Sequence, residues 1–413
     1  MSQQGPILIV SNEAGSPLAS AVAELKIFPL IESGWVDASD AIERLQPAAV
    51  LIGDAETNDA LLARIARQLE KIKPYTPLIA LNPKTTLPHN VMPLTQSGSD
   101  PKQLIARLKA ALRVRTEHAT LLRRLSEPSA PRLPQSDPLH DATVLLFGRG
   151  GSYPELSVAI GQQMGLVGAL SIEAAAKHLN ARELDGVVIG EGFSSRVVDA
   201  FLTVLSEDAR FRNLPILISA ASGLKHDYDL PNLEIAGGKP SMLAAYAVPL
   251  IRQHSFESRI QRALKSIDAG GLLDPRTGLL TTEAFRRDLK AAVAENLARG
   301  AGLSAARISF GQATERMQID AARIVGRLMR RMDFATLDGG GILIVFAETS
   351  LRNAQMVARR FTSVLKHTMM SPEGEQRLEP QVSLVALMPN DTADAILSRL
   401  DQEAQRAASR IAS

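Results

Sequence analysis

The sequence predicts an α/β protein in which two doubly wound parallel sheets are followed by a smaller α+β unit with an antiparallel sheet. Short apolar runs alternate with helical stretches through the first part of the chain, as parallel strands with crossover helices do. That rhythm recurs once after roughly 120 residues, which marks an internal repeat. Beyond about residue 270 the order becomes helix, strand, helix, hairpin, helix, strand, helix, the pattern of an α+β sandwich.

In the first unit, residues 1–125, the apolar run Ile7-Leu8-Ile9-Val10 reads as a strand, Leu18 to Leu25 as a helix, and Ala48 to Ile52 as a strand ending in Gly53-Asp54. A helix over Asn58–Lys71, a strand over Pro77–Leu81 and a helix from Pro101 to about Arg124 complete it. Runs apolar at every position suit strands buried on both faces. Residues 126–140 carry four prolines among serines and read as a linker, because proline removes a donor and blocks helix. The second unit, 141–255, repeats the first. Thr143–Phe147, Gly186–Ile189 and Leu214–Ser219 read as strands, with helices over Pro154–Met164 and Arg196–Leu205 and another after Pro240. VLIGDAE and VVIGEGF hold equivalent places in the two copies. A connecting helix, 256–270, leads to the third unit, 271–413. There helices near 282–298, 318–332 and 351–368 and from 391, with strands near 304–310, 342–346 and 381–388, make up the α+β pattern.

Composition bounds what such a chain does. At 413 residues it exceeds one hydrophobic core. Lysine and arginine number 46 against 44 acids, so no field over the whole molecule draws it to nucleic acid or anionic lipid, and an anionic ligand must be held locally. The absence of cysteine excludes disulfides, thiolate metal sites and cysteine nucleophiles. The seven histidines show no metal-ligand spacing, and single Trp35 reads as packing. With no membrane-length apolar run and no leader-like N-terminus, the chain reads as a soluble cytoplasmic protein.

Open parallel sheets place functional residues at the carboxyl ends of their strands. In the first unit Ser11-Asn12-Glu13, Asp54 and Asn82 stand there; in the second, Gly148-Arg149, Glu191, Ser219 and Lys239-Pro240 do. These two units resemble receiver domains of response regulators, which implies flavodoxin-like folds. The resemblance makes Asp54 the candidate phosphoacceptor, against the alternative that both units are scaffolds for dimerisation. Arg149 stands where acids would hold Mg²⁺, and Glu191 with Lys239 could form an ion pair in its place.

In the third unit, Asp274-Pro275-Arg276-Thr277-Gly278-Leu279-Leu280 resembles the D-P-x-T-G-L-x signature opening diguanylate cyclase (GGDEF) domains, and Asp338-Gly339-Gly340-Gly341-Ile342 falls where the GGDEF motif stands. The whole order is similar to the receiver–receiver–GGDEF architecture of PleD-type regulators. The acidic pair of the motif is absent. The strand that should read D-x-D-x-F-K reads Arg307-Ile308-Ser309-Phe310-Gly311-Gln312, so neither set of metal ligands is present and no cyclase activity is expected. Arg330-Arg331-Met332-Asp333 keeps the spacing of the family's R-x-x-D inhibitory site for cyclic di-GMP, and Arg360 aligns with the arginine of its second half. An arginine fork can donate to guanine O6 and N7 while a carboxylate accepts from N1–H and the 2-amino group. The bland reading is an i,i+3 ion pair at a helix end, as for Arg182-Glu183-Leu184-Asp185 and Arg196-Val197-Val198-Asp199. The resemblance implies a cyclic di-GMP effector with no catalytic cofactor and no resident metal, forming a homodimer. By likeness to the degenerate members of the family, it implies an adaptor at the cell pole that delivers the CtrA regulator through RcdA to the ClpXP protease. The alternative is a phosphorylation-controlled regulator switched at Asp54, with an inert third domain.

Overall fold

The computed structural model describes residues 6–12, 19, 22–23, 29–53, 59–95, 101–125, 136–219, 228–299, 302–311, 313–330, 332–368 and 379–412. Three sheets form. The first contains β1 (Ile7–Val10), β2 (Leu30–Ser33), β3 (Ala49–Ile52), β4 (Leu78–Leu81) and β5 (Val91–Leu94), all parallel, in the order β2-β1-β3-β4-β5. This is the 2-1-3-4-5 order of one of the two common doubly wound sheets. Successive side chains face opposite layers. Ile7, Ile9, Leu51 and Ile79 pack with Leu104, Leu108 and Ala111 of α3 (Lys102–Arg124). Leu8, Val10, Val50 and Ile52 pack with Ile42 of α1 (Ala38–Leu45) and Leu62, Ile65 and Leu69 of α2 (Asp59–Lys71). Trp35 joins that second layer at 7% exposure, a packing residue as its sequence context suggested.

The second sheet has the same order. β6 (Thr143–Phe147), β7 (Gly165–Ala169), β8 (Gly186–Ile189), β9 (Ile216–Ser219) and β10 (Leu233–Ala236) are parallel and run β10-β9-β8-β6-β7. Helices α4 (Tyr153–Gly161), α5 (Ile172–Ala181) and α6 (Ser195–Glu207) connect the strands. The helix expected after Pro240 and the connecting helix are one element, α7 (Pro240–Asp268), with Pro249 inside it. The proline-rich stretch ends in a 3-10 turn at Pro138–Asp141, capped by the Asp137 carboxylate accepting from the Leu139 N–H at 2.9 Å.

The third sheet is antiparallel. β11 (Ser304–Ser309), β12 (Phe334–Asp338), β13 (Gly341–Phe346) and β14 (Gln381–Ala386) run β12-β13-β11-β14. Ile308, Ile342, Ile344 and Phe346 face α9 (Glu315–Leu328) and α10 (Leu351–Thr368), where Ile324, Val325, Phe361 and Leu365 complete that core. Leu343, Val345 and Val385 face Phe285, Leu289 and Val293 of α8 (Thr282–Arg299) and Ile396 and Leu400 of α11 (Ala393–Ala412).

The chain divides into two compact units, one of Met1–Pro128, Ser136–Ala175 and Leu184–Gln261 and one of Ser129–Gln135, Ala176–Glu183 and Arg262–Ser413. Both parallel sheets belong to the first. No helix among the described residues is long and apolar enough to cross a membrane.

The strands absent from the sequence reading are β2, β5, β7 and β10. Each is only four or five residues long, and β7 is GLVGA. Such segments are recognised by the neighbour they pair with rather than by their own pattern.

Candidate functional site

At the carboxyl end of the first sheet, the N–H of Gly53 donates to the Val10 carbonyl at 3.0 Å and that of Asn82 to the Leu94 carbonyl at 2.9 Å. Asn82 holds φ +44, which asparagine tolerates better than most residues. Glu13 and Asp54 lie outside the described residues. In the second sheet the corresponding end is filled by its own chain. The backbone N–H groups of Arg149 and Gly150 both donate to the Glu191 carbonyl, at 3.0 and 3.1 Å. The Arg149 guanidinium lies 4.7 Å from the centroid of Phe193, which stacks on Phe147 at 4.1 Å, and its Nε donates to the Gly192 carbonyl at 3.1 Å. A cation stacked on an aromatic face, rather than a carboxylate, thus stands at this strand end. No ion pair between Glu191 and Lys239 occurs among those described. Nor does any group of three His, Cys, Asp or Glu suited to a metal occur among the described residues.

The third unit holds the more elaborate constellation. Its opening motif is a self-closed turn. The Asp274 carboxylate accepts from the N–H groups of Arg276 (2.9 Å) and Thr277 (2.8 Å) and from the Thr277 hydroxyl (2.9 Å), and Gly278 takes φ +75. The N–H of Leu280 ties this turn to the Ala335 carbonyl of β12 at 3.0 Å. The motif residues are therefore explained by backbone geometry. Beside them lies a cleft of about 260 Å³ whose lining includes Arg276, Thr281, Thr282 and Thr336, with Arg276 paired to Glu315 at 2.7 Å.

Gly339 and Gly340 form the two-residue turn between β12 and β13, with φ of +57 and +76, the left-handed pair a tight hairpin needs. Beside the turn stands Arg307 of β11, whose Nη1 donates to the Asp338 carbonyl at 3.4 Å and whose Nη2 pairs with Asp401 at 2.8 Å. A guanidinium thus sits next to the hairpin. Asp401 escaped sequence reasoning because 94 positions separate it from Arg307 and neither residue carries a motif.

Helix α9 ends at Leu328, so Arg330 and Asp333 are not on a helix end, as their i,i+3 spacing suggested, but in the turn that feeds β12. The N–H of Asp333 donates to the Arg330 carbonyl at 3.1 Å. Arg330 is exposed and Asp333 is buried at 9% exposure. Burial pushes the Asp333 carboxyl up, opposed by the backbone N–H groups of Arg330 and Ala347 and by the Arg330 charge. Arg331 lies outside the described residues. Arg360 stands exposed on α10 beside exposed Arg359. The two other R-x-x-D stretches have local employment: Arg182 pairs with Asp320 at 3.0 Å, and Asp199 accepts from the Tyr228 hydroxyl.

No protein-family model and no curated protein matches the chain. Among solved structures it is similar to the coiled coil and GGDEF domain of DgcB from Caulobacter crescentus in complex with c-di-GMP, at 16% identity over 35% of this chain and 84% of that one, with a TM-score of 0.31. A sensory box/GGDEF family protein from Caulobacter crescentus is 24% identical over 34% of this chain and 99% of its own, with a TM-score of 0.29. The GGDEF domain of FimX from Pseudomonas aeruginosa is 16% identical over 34% and 94%, with a TM-score of 0.31.

Proposed function

We propose that the chain is a cyclic di-GMP effector built from two receiver-like domains, residues 1–125 and 141–255, and a catalytically degenerate GGDEF domain, residues 271–413. The observation that carries this reading is the Arg330–Asp333 turn, which leads directly into a two-glycine hairpin beside which the neighbouring strand presents Arg307 rather than a carboxylate. A fixed guanidinium repels the divalent cations that phosphoryl transfer needs, whereas an exposed arginine next to a carboxylate suits the Hoogsteen and Watson–Crick edges of guanine. In this reading Arg330 and Asp333 bind one half of the ligand, Arg331 adds charge, and Arg360 serves the other half. The product of related enzymes is then a ligand here, and no catalytic residue or metal is assigned.

The domain order and the lost acids resemble PopA, the degenerate paralogue of the PleD cyclase. On that resemblance we assign the chain an adaptor role as a homodimer at the cell pole, passing CtrA through RcdA to ClpXP. Ligand contacts would favour one arrangement of the protein over another, which requires unequal affinity for the two.

The test is calorimetric titration of cyclic di-GMP into the full chain and into Arg330→Ala, with GTP and magnesium as a control. Micromolar binding abolished by the substitution, with no pyrophosphate released from GTP, is the expected result. Absence of binding by the parent protein would remove the reading and leave phosphorylation at Asp54 as the better account.

A further inference from the structure

The two parallel-sheet sandwiches belong to one compact unit, and the groups that join them are unusual for a surface contact. Arg107, on α3 of the first sandwich, and Glu234, on β10 of the second, are both fully buried, and they pair at 2.8 Å. A lone charge in that position would be severely unfavourable, so what matters is whether every donor and acceptor is used. Arg107 donates from Nε to the Pro231 carbonyl at 3.0 Å, from Nη2 to the Leu233 carbonyl at 2.6 Å, and from Nη1 to Glu234 and to the Pro93 carbonyl. The other carboxylate oxygen of Glu234 accepts the Thr95 N–H of the first sandwich at 2.7 Å. Arg107 is therefore held by backbone carbonyls of both sandwiches and Glu234 by the Thr95 N–H and Arg107 of the first, so neither sandwich can leave without stranding a charge.

The surrounding contacts extend the same joint. Gln103 donates to the Leu233 carbonyl at 2.9 Å, and the Tyr246 hydroxyl of α7 donates to the Pro83 carbonyl at 2.8 Å. Leu250 of α7 is part of the hydrophobic core under the first sheet, and Phe256 meets His118 edge to face at 5.0 Å.

We propose that the face made by β5 and α3 of the first sandwich is a permanent intrachain interface whose occupant is β10 and α7 of the second, locked by the buried Arg107–Glu234 pair. The first compact unit then moves as one body, and neither of these faces is available to a second copy of the chain. Self-association must use other surfaces. This inference does not depend on the ligand reading.

Because the chain has no cysteine, spin labels can be placed at will on the full-length protein. Glu43→Cys on α1 and Arg196→Cys on α6 are exposed and lie one in each sandwich. Pulsed dipolar spectroscopy on this pair is expected to give one narrow distance, unchanged by magnesium with acetyl phosphate. Adding Glu234→Gln strands the arginine and should broaden that distance and raise amide exchange in α3 by roughly a hundredfold or more. Arg107→Met with Glu234→Leu removes both charges and should restore the narrow distance. Two distances in the parent pair, or Glu234→Gln behaving as the parent does, would overturn the proposal. If Glu234→Gln fails to fold, the double substitution decides: a restored narrow distance supports the lock, and a broad one refutes it.

Discussion

Asp333 shows how a single residue can be both structural and chemical. Its backbone closes the turn onto Arg330, and the nearby backbone N–H groups of Arg330 and Ala347 favour its charged carboxylate. Burial raises its pKa, so the charged form that would accept from guanine N1–H is lost at a higher pH than for an exposed aspartate. Affinity for cyclic di-GMP is therefore expected to weaken as the pH is lowered into the acid range, beginning at a higher pH than an exposed aspartate would require, while Asp333→Asn binds more weakly throughout and without that slope. Calorimetry across this range checks it. A slope equal in both proteins would show that the carboxylate takes no part. The R-x-x-D spacing could be read from the sequence at three places, and only the family resemblance singled out Arg330 among them. The setting of the aspartate could not be read there, because burial depends on where α9 stops, and it stops at Leu328, ahead of the motif.

At the scale of the element, the β12–β13 hairpin owes its shape to its glycines. Gly339 and Gly340 lie at positive φ, where a side chain costs about 1–2 kcal/mol, and a β-branched one more. Gly341 is restricted differently: a Cβ there would come within 2.9 Å of the Ile308 carbonyl oxygen, a backbone atom that cannot move aside cheaply. Gly340→Val should lower the thermal midpoint of the Arg262–Ser413 unit, and Gly341→Ala should do so by steric conflict with β11. Scanning calorimetry of the full chain distinguishes these from a neutral turn, since Ser363→Ala on the exposed side of α10 is expected to leave the midpoint unchanged. The hairpin itself could be read from Asp338-Gly339-Gly340-Gly341 followed by an apolar run. That Arg307 and Asp401 flank it could not.

Over the whole molecule, near-neutral net charge conceals arginines built into the interior. Besides Arg107, buried Arg259 pairs with Asp141 at 2.8 Å, and half-exposed Arg113 reaches buried Glu257 at 2.7 Å, all within the first unit. The same environment holds His118 neutral. Desolvation first, then the charges of Lys73 and Arg115, lower its pKa from 6.5 to about 4, and its Nδ1 accepts the Tyr75 N–H at 2.9 Å. Since the folded value lies below the unfolded one, the stability it contributes is complete above pH 6.5 and is lost as the pH falls from there towards about 4. The thermal midpoint of the first unit is expected to decline over that interval, and His118→Gln, which keeps an acceptor for Tyr75, should flatten the decline. An unchanged slope would place the sensitive group elsewhere.

By itself the sequence determined the fold class, the repeat and the motif positions, because these rest on local quantities. Apolar runs such as Ile7–Val10 and Ile342–Phe346 and the glycines of the turns act through backbone chemistry within a few residues. Tertiary structure alone decided the short edge strands, which need a paired neighbour to exist, and the charge pairs Arg107–Glu234 and Arg307–Asp401, whose members are 127 and 94 residues apart. A charged residue reads as solvent-facing until the fold supplies a partner and removes the water. That removal is a property of packing, and no stretch of sequence carries it alone.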